Sequence, residues 1–205
     1  MTSEVSKTSK VFPVASRGDN GNAIGVHPES INDRLVICVG GSGMNGELRE
    51  LGNGDIDAPP GEDDIESSWG ASMDFIAPAT KGLIVTTNNL DPDPQWSIVC
   101  APDMISDPEY CCFTGVSSAT AHGTGVTALV AGFHESQYSV RLFKEDVEKL
   151  LEYGALDKGP DFYDPLNGWG LLDAGESINL IDKNNNGRKV YHVKIIPDLE
   201  PELFC

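Results

Sequence analysis

The side chain in this sequence best placed to do chemistry is the hydroxyl of Ser117. It stands two residues after Gly115, in the run Gly115-Val116-Ser117-Ser118-Ala119-Thr120-Ala121-His122, and residues 117 to 132 are helical in length and small or apolar nearly all round, as a buried central helix would be. A serine in the first turn of a helix lies among backbone N–H groups that have no intrahelical partner, at the positive end of the helix dipole. An oxyanion formed on a substrate would be stabilised there. Gly115 lets a substrate backbone approach, and Ser118, Ala119 and Ala121 are small enough to keep the helix start close to a sheet. A serine at a helix start also serves as a plain cap, so the segment acquires chemical meaning only from its surroundings.

The nearest base in sequence is His122. Five residues along a helix turn the side chain by roughly 140° and raise it by about 7.5 Å, so its imidazole points away from the Ser117 hydroxyl and its expected role is structural. His27, His134 and His192 fall in loops or on a strand, with no acidic partner at a telling spacing. Gly41-Ser42-Gly43-Met44-Asn45-Gly46 has the spacing of a dinucleotide loop, but Glu47 to Leu51 is too short for the helix that loop must open. Asp182, Asn184, Asn186 and Gly187 resemble the start of a calcium loop. Its closing glutamate is absent, so an Asn-rich turn is expected. The five cysteines show no C-x-x-C spacing. Cys100 could pair with Cys111 or Cys112 in an oxidising compartment, and free thiols suit a reducing one equally well.

The elements that must position Ser117 follow from hydrophobic patterning. Short apolar runs at 11–15, 35–39, 73–77 and 83–86 read as strands, each bounded by Gly, Pro or polar turns. Residues 144–153 form an amphipathic helix stopped by Gly154, and Asp173 caps a short helix over 174–180. Residues 190–196 alternate as a last strand, and the acidic stretch 52–68 reads as an exposed insertion. Strands with intervening helices indicate an α/β fold with a parallel sheet. The 205 residues suit one domain or part of one: a polar lead over 1–10, the domain over 11–181, and an extension over 182–205. A formal net charge of −18 argues against nucleic acid and anionic membrane surfaces as partners. The first residues lack the apolar core of a secretory signal.

The order of these segments resembles the subtilase family of serine peptidases. The Ser117 segment is similar to the family's Gly-Thr-Ser-x-Ala-Thr/Ser-Pro-His pattern. Val14-Ala15-Ser16 leading into Gly18-Asp19-Asn20-Gly21 is similar to its oxyanion loop, and His27-Pro28 to Val39-Gly40 looks like the strand after it. Ser68-Trp69-Gly70, Asp74-Phe75-Ile76-Ala77-Pro78 and Gly168-Trp169-Gly170-Leu171-Leu172-Asp173-Ala174-Gly175 follow in family order.

The resemblance implies a subtilisin-like fold, incomplete at its N-terminal side, and an endopeptidase that forms an acyl-enzyme on Ser117. Asp19 falls at the oxyanion position, which is normally Asn, and Val14, Ala15, Ser16 and Gly18 at the substrate-binding wall. An ionised carboxylate at Asp19 has no N–H to donate. Loss of such a donor costs about 2.7–4 kcal/mol, a figure that comes from subtilisin itself. Alternatively, the loop shifts by one residue and Asn20 donates. Val116 replaces the usual threonine.

The family's Asp-x-Gly and His-Gly-Thr motifs precede the first matched strand and find no room here. The chain is therefore expected to be inactive alone, with the N-terminal half of the domain as a partner and a peptide or protein as substrate. The resemblance requires no cofactor, is compatible with calcium, and implies an extracellular or vacuolar setting. The rival expectation is a non-catalytic pseudopeptidase or truncated product that binds peptides or calcium.

Overall fold

Strand β2, Ile37–Ser42, reads Ile-Cys-Val-Gly-Gly-Ser and carries no charged side chain, as a strand covered on both faces must. Every one of its residues is buried. The sequence places the end of this strand before its two glycines, yet the strand continues through them. A Cβ on Gly40 would lie 2.3 Å from Met73 Sδ, and one on Gly41 would lie 2.6 Å from Ala79 Cβ. Close packing, not a turn, demands glycine here.

The computed structural model describes residues 12–19, 21, 36–43, 46–48, 67–79, 83–86, 110–113 and 115–181. Residues 52–66 of the acidic stretch, Asn20, His27, Cys100, the Asn-rich turn after Asp182, His192 and the strand expected over 190–196 lie outside them; the end of the stretch expected to be exposed over 52–68 is instead buried at Ser67 and Ser68.

β2 is the middle of a parallel three-stranded sheet, between β1 (Val14–Ser16) and β3 (Phe75–Pro78). Val14 pairs with Ile37 and Ser16 with Val39; Val39 pairs with Phe75 and Ser42 with Pro78. The outer side of β3 is met by a parallel bridge from Ile76 to Leu171, where the Leu172 N–H donates to the Ile76 carbonyl at 3.0 Å. Leu171 is bridged in turn to Leu156. A second, antiparallel pair joins β4 (Leu83–Thr86) to β5 (Tyr110–Phe113). Sequence patterning predicts β4 with these bounds and does not predict β5.

Helix α1, Val116–Tyr138, crosses β1, β2 and β3. It runs one residue earlier and six later than the expected helix, and ends where Ser139 takes φ 56 and donates its N–H to the Glu135 carbonyl at 2.8 Å. The core beneath it contains Ile37, Val39, Phe75, Ala77, Ala119 and Val130, with Leu142, Val147, Leu150 and Leu151 contributed from the chain that follows. Each large apolar side chain buried in this way contributes roughly 1.5–3 kcal/mol.

Helix α2, Lys144–Gly154, places Val147, Leu150 and Leu151 on that core at helical spacing. Gly154 lies within this helix and is not its left-handed cap, which corrects the sequence reading. A Cβ at 154 would stand 2.4 Å from Ser177 Oγ, so the glycine lets α2 approach α3, Ala174–Asn179. Asp173 caps α3 as expected, accepting the Glu176 N–H at 3.0 Å.

Candidate active site

The C-terminal ends of β2 and β3 pin the start of α1. The Ala79 N–H donates to the Ser42 carbonyl at 3.1 Å, and the Ala79 carbonyl accepts the Gly115 N–H at 2.9 Å. Gly115 has φ 97, a conformation that side chains other than glycine's rarely adopt. The Ser118 hydroxyl donates to the Pro78 carbonyl at 3.3 Å, and the buried Val116 packs over Gly41. These contacts put Ser117 just beyond the carboxyl ends of parallel strands, where open α/β sheets place their ligand sites.

Ser117 is exposed, while its neighbours Val116, Ser118 and Ala119 are buried. Among the described residues its hydroxyl has no hydrogen-bond partner and therefore no base. His122 does not supply one. Its Nδ1 lies 2.9 Å from the Ser118 carbonyl oxygen, which can only accept, so that nitrogen donates its proton to the helix backbone. Thr120 bonds in the same manner to the Val116 carbonyl at 2.9 Å.

Asp19 reaches the same helix start from the loop after β1. Its Oδ1 accepts the Val116 N–H at 2.7 Å. The loop is held from several sides: the Arg17 N–H donates to the Val39 carbonyl at 2.9 Å, and the Gly18 carbonyl accepts the Ser68 N–H at 2.8 Å. The guanidinium of Arg17, only 2% exposed, donates to the Trp69 carbonyl at 2.8 Å and to the Ser72 hydroxyl. Neither Arg17 nor Ser67, whose hydroxyl accepts the Gly41 N–H at 2.9 Å, was singled out from the sequence. The only available signal for Arg17 was a charged residue directly after an apolar strand.

The residues expected to form a substrate wall are all in β1 and its loop. Val14 is partly spent on the core, since its Cγ1 lies 3.6 Å from the position of a Cβ on Gly123 in α1. Ser16 accepts the Gly18 N–H at 3.2 Å, and Ala15 pairs with Cys38. His134, expected in a loop or on a strand, is instead buried within α1 and donates from Nδ1 to the Val140 carbonyl at 2.8 Å. After β2 the Gly46 N–H donates to the Gly43 carbonyl and an antiparallel bridge joins Ser42 to Leu48, so no helix opens there. Among the described residues, no group of three or more His, Cys, Asp or Glu could hold a metal ion.

The exposure of α1 departs from what its composition predicts. The helix is apolar or small nearly all round, which predicts full burial, yet Ala121, Thr124, Gly125, Ala128, Leu129 and Gly132 are exposed. Leu129 alone is 52% exposed. Gly123 faces the sheet, where a Cβ would come within 2.7 Å of Val39, whereas Gly125 and Gly132 have nothing within 4 Å. The bare face is continuous with Ser117.

No family model and no curated protein matches this chain. Solved structures do. A crystal structure of a lanthipeptide protease is 18% identical and aligns with a TM-score of 0.68 over 86% of this chain and 52% of that one. The patellamide maturation protease PatA (18% identity, TM-score 0.58) aligns over 87% of this chain and 54% of its own. The prenylagaramide maturation protease PagA (19% identity, TM-score 0.57) aligns over 86% and 52%. The chain thus spans about half the length of the structures it matches, and its fold is subtilisin-like.

Proposed function

We propose that this chain is the nucleophile-bearing part of a subtilisin-like serine endopeptidase, whose base and orienting aspartate come from further polypeptide packed on the bare face of α1. The observation that carries the reading is the placement of Ser117: exposed, in the first turn of a helix, beyond the carboxyl ends of a parallel sheet. In this mechanism the Ser117 oxygen bonds to a peptide carbonyl carbon while its proton passes to the base. The C–N bond then breaks as the base returns that proton to the leaving amine, and water hydrolyses the acyl ester. The matched structures are those of a lanthipeptide protease and a patellamide maturation protease, which supports a peptide as the substrate class.

A second reading, a non-catalytic peptide- or calcium-binding protein, draws on the Asp19 carboxylate at the helix start, where an oxyanion would need donors instead. A serine-directed fluorophosphonate probe separates the two. The chain alone should label negligibly, because loss of triad partners costs about 10⁶ in turnover in subtilisin itself. Joined or mixed with a polypeptide carrying Asp-x-Gly and His-Gly-Thr segments, it should label at Ser117, and Ser117→Ala should abolish the signal. Rapid labelling of the chain alone would refute the borrowed base. Silence of the completed domain would favour the non-catalytic protein.

A further inference from the structure

Helix α1 begins without the devices that usually close a first turn. Its N-cap is Gly115, which has no side chain to bond the free amides, and its first turn contains no acidic residue. The missing acceptor comes from Asp19, 97 residues away, through the 2.7 Å bond to the Val116 N–H. A Cβ at position 115 would make an ordinary 3.5 Å contact with Asp19 Oδ1, so glycine is required there by its φ of 97 and not by the carboxylate beside it. The loop that presents the carboxylate is clamped by main-chain bonds from Arg17 to Val39 and from Ser68 to Gly18, and by the buried Arg17 guanidinium. The carboxylate is therefore held one residue away from Ser117 by both the loop and the helix.

We propose that Asp19 is a positioning residue for Ser117, a remote cap that fixes the first turn of α1 and sets a negative field over the serine. The two effects oppose each other. The cap holds the Ser117 backbone in place for attack and brings a favourable charge to the helix dipole. The same charge disfavours any anion that develops on the Ser117 oxygen or on a bound carbonyl. The site is rigid but electrostatically restrained, and a neutral side chain of the same shape would keep the rigidity and lift the restraint. The consequence for catalysis rests on Ser117 being the nucleophile; the cap itself does not.

Asp19→Asn retains a side-chain oxygen for the Val116 N–H and loses the charge, whereas Asp19→Ala loses both. In amide hydrogen exchange on the full chain, Asp19→Ala should speed exchange at Val116 about tenfold or more, while Asp19→Asn stays within about threefold of the parent. The field is read by placing a thiol at the reacting position. With the parent chain, which has five cysteines of its own, as the blank, Ser117→Cys should alkylate about three- to tenfold faster at neutral pH when combined with Asp19→Asn. Unchanged Val116 exchange in Asp19→Ala would overturn the cap, and equal alkylation rates would overturn the field. Neither readout needs a catalytic base, so both can succeed even where the fluorophosphonate test of the proposed peptidase fails.

Discussion

The carboxylate of Asp74 accepts the main-chain N–H of Cys38 at 2.7 Å, and the Cys38 carbonyl accepts the Asp74 N–H at 3.0 Å. This reciprocal pair ties the start of β2 to the residue just before β3. It lies at the opposite end of the sheet from Ser117, so Asp74 belongs to the scaffold and not to the reacting groups.

Burial pushes the Asp74 carboxyl up to about 7 from an ordinary value of 3.8, even though the Cys38 N–H and the Lys144 charge favour ionisation. Between those two values the folded state holds a proton that the unfolded state has released. Stability therefore falls as pH rises from about 4 to about 7 and levels off above, and Glu148, also raised by burial, acts in the same direction. Asp74→Asn keeps an oxygen for Cys38 and should flatten this dependence, gaining about 1–2 kcal/mol over the parent at pH 8 in urea unfolding. A variant weaker than the parent at that pH would contradict the assignment.

The glycines of α1 should separate by face. Gly123→Ala puts a methyl 2.7 Å from Val39 Cγ2 and should cost about 1–3 kcal/mol. Gly125→Ala and Gly132→Ala meet nothing within 4 Å and should each stabilise the isolated chain by about 0.5–1 kcal/mol through helix propensity. Thermal melts of the three variants decide the matter. In a completed domain with the bare face covered, the methyls at 125 and 132 should become destabilising.

Arg17 spans the Trp69 carbonyl and the Ser72 hydroxyl with two nitrogens of one planar group, a reach that an ammonium does not have. Arg17→Lys should lower stability by about 1–3 kcal/mol and loosen the loop that carries Asp19. The check is a pair of readings: the urea midpoint, and exchange at the Val116 amide. If both match the parent, Arg17 does not hold that loop.

Several elements were legible from residue order because their causes are local. The period of Val147, Leu150 and Leu151 marked α2, the side chain of Asp173 marked the start of α3, and the apolar run 83–86 marked β4. The helix carrying Ser117 is legible from its small residues, and helical geometry alone turns His122 away from Ser117, in keeping with its contact to the Ser118 carbonyl. The glycines are less legible. Gly40, Gly41 and Gly154 looked like stops, but they are places where another chain segment comes too close for a Cβ, and a sequence does not show which segment that is.

By itself the sequence determined the type of each strong element, the order of the motifs, and Ser117 as the candidate nucleophile, because propensity, periodicity and spacing are properties of neighbouring residues. Only the tertiary structure decided which amide the Asp19 carboxylate accepts and which face of α1 stays bare. A carboxylate becomes a cap for a helix 97 positions away, and an apolar stripe becomes a surface, only once the sheet has brought distant segments together and left others apart.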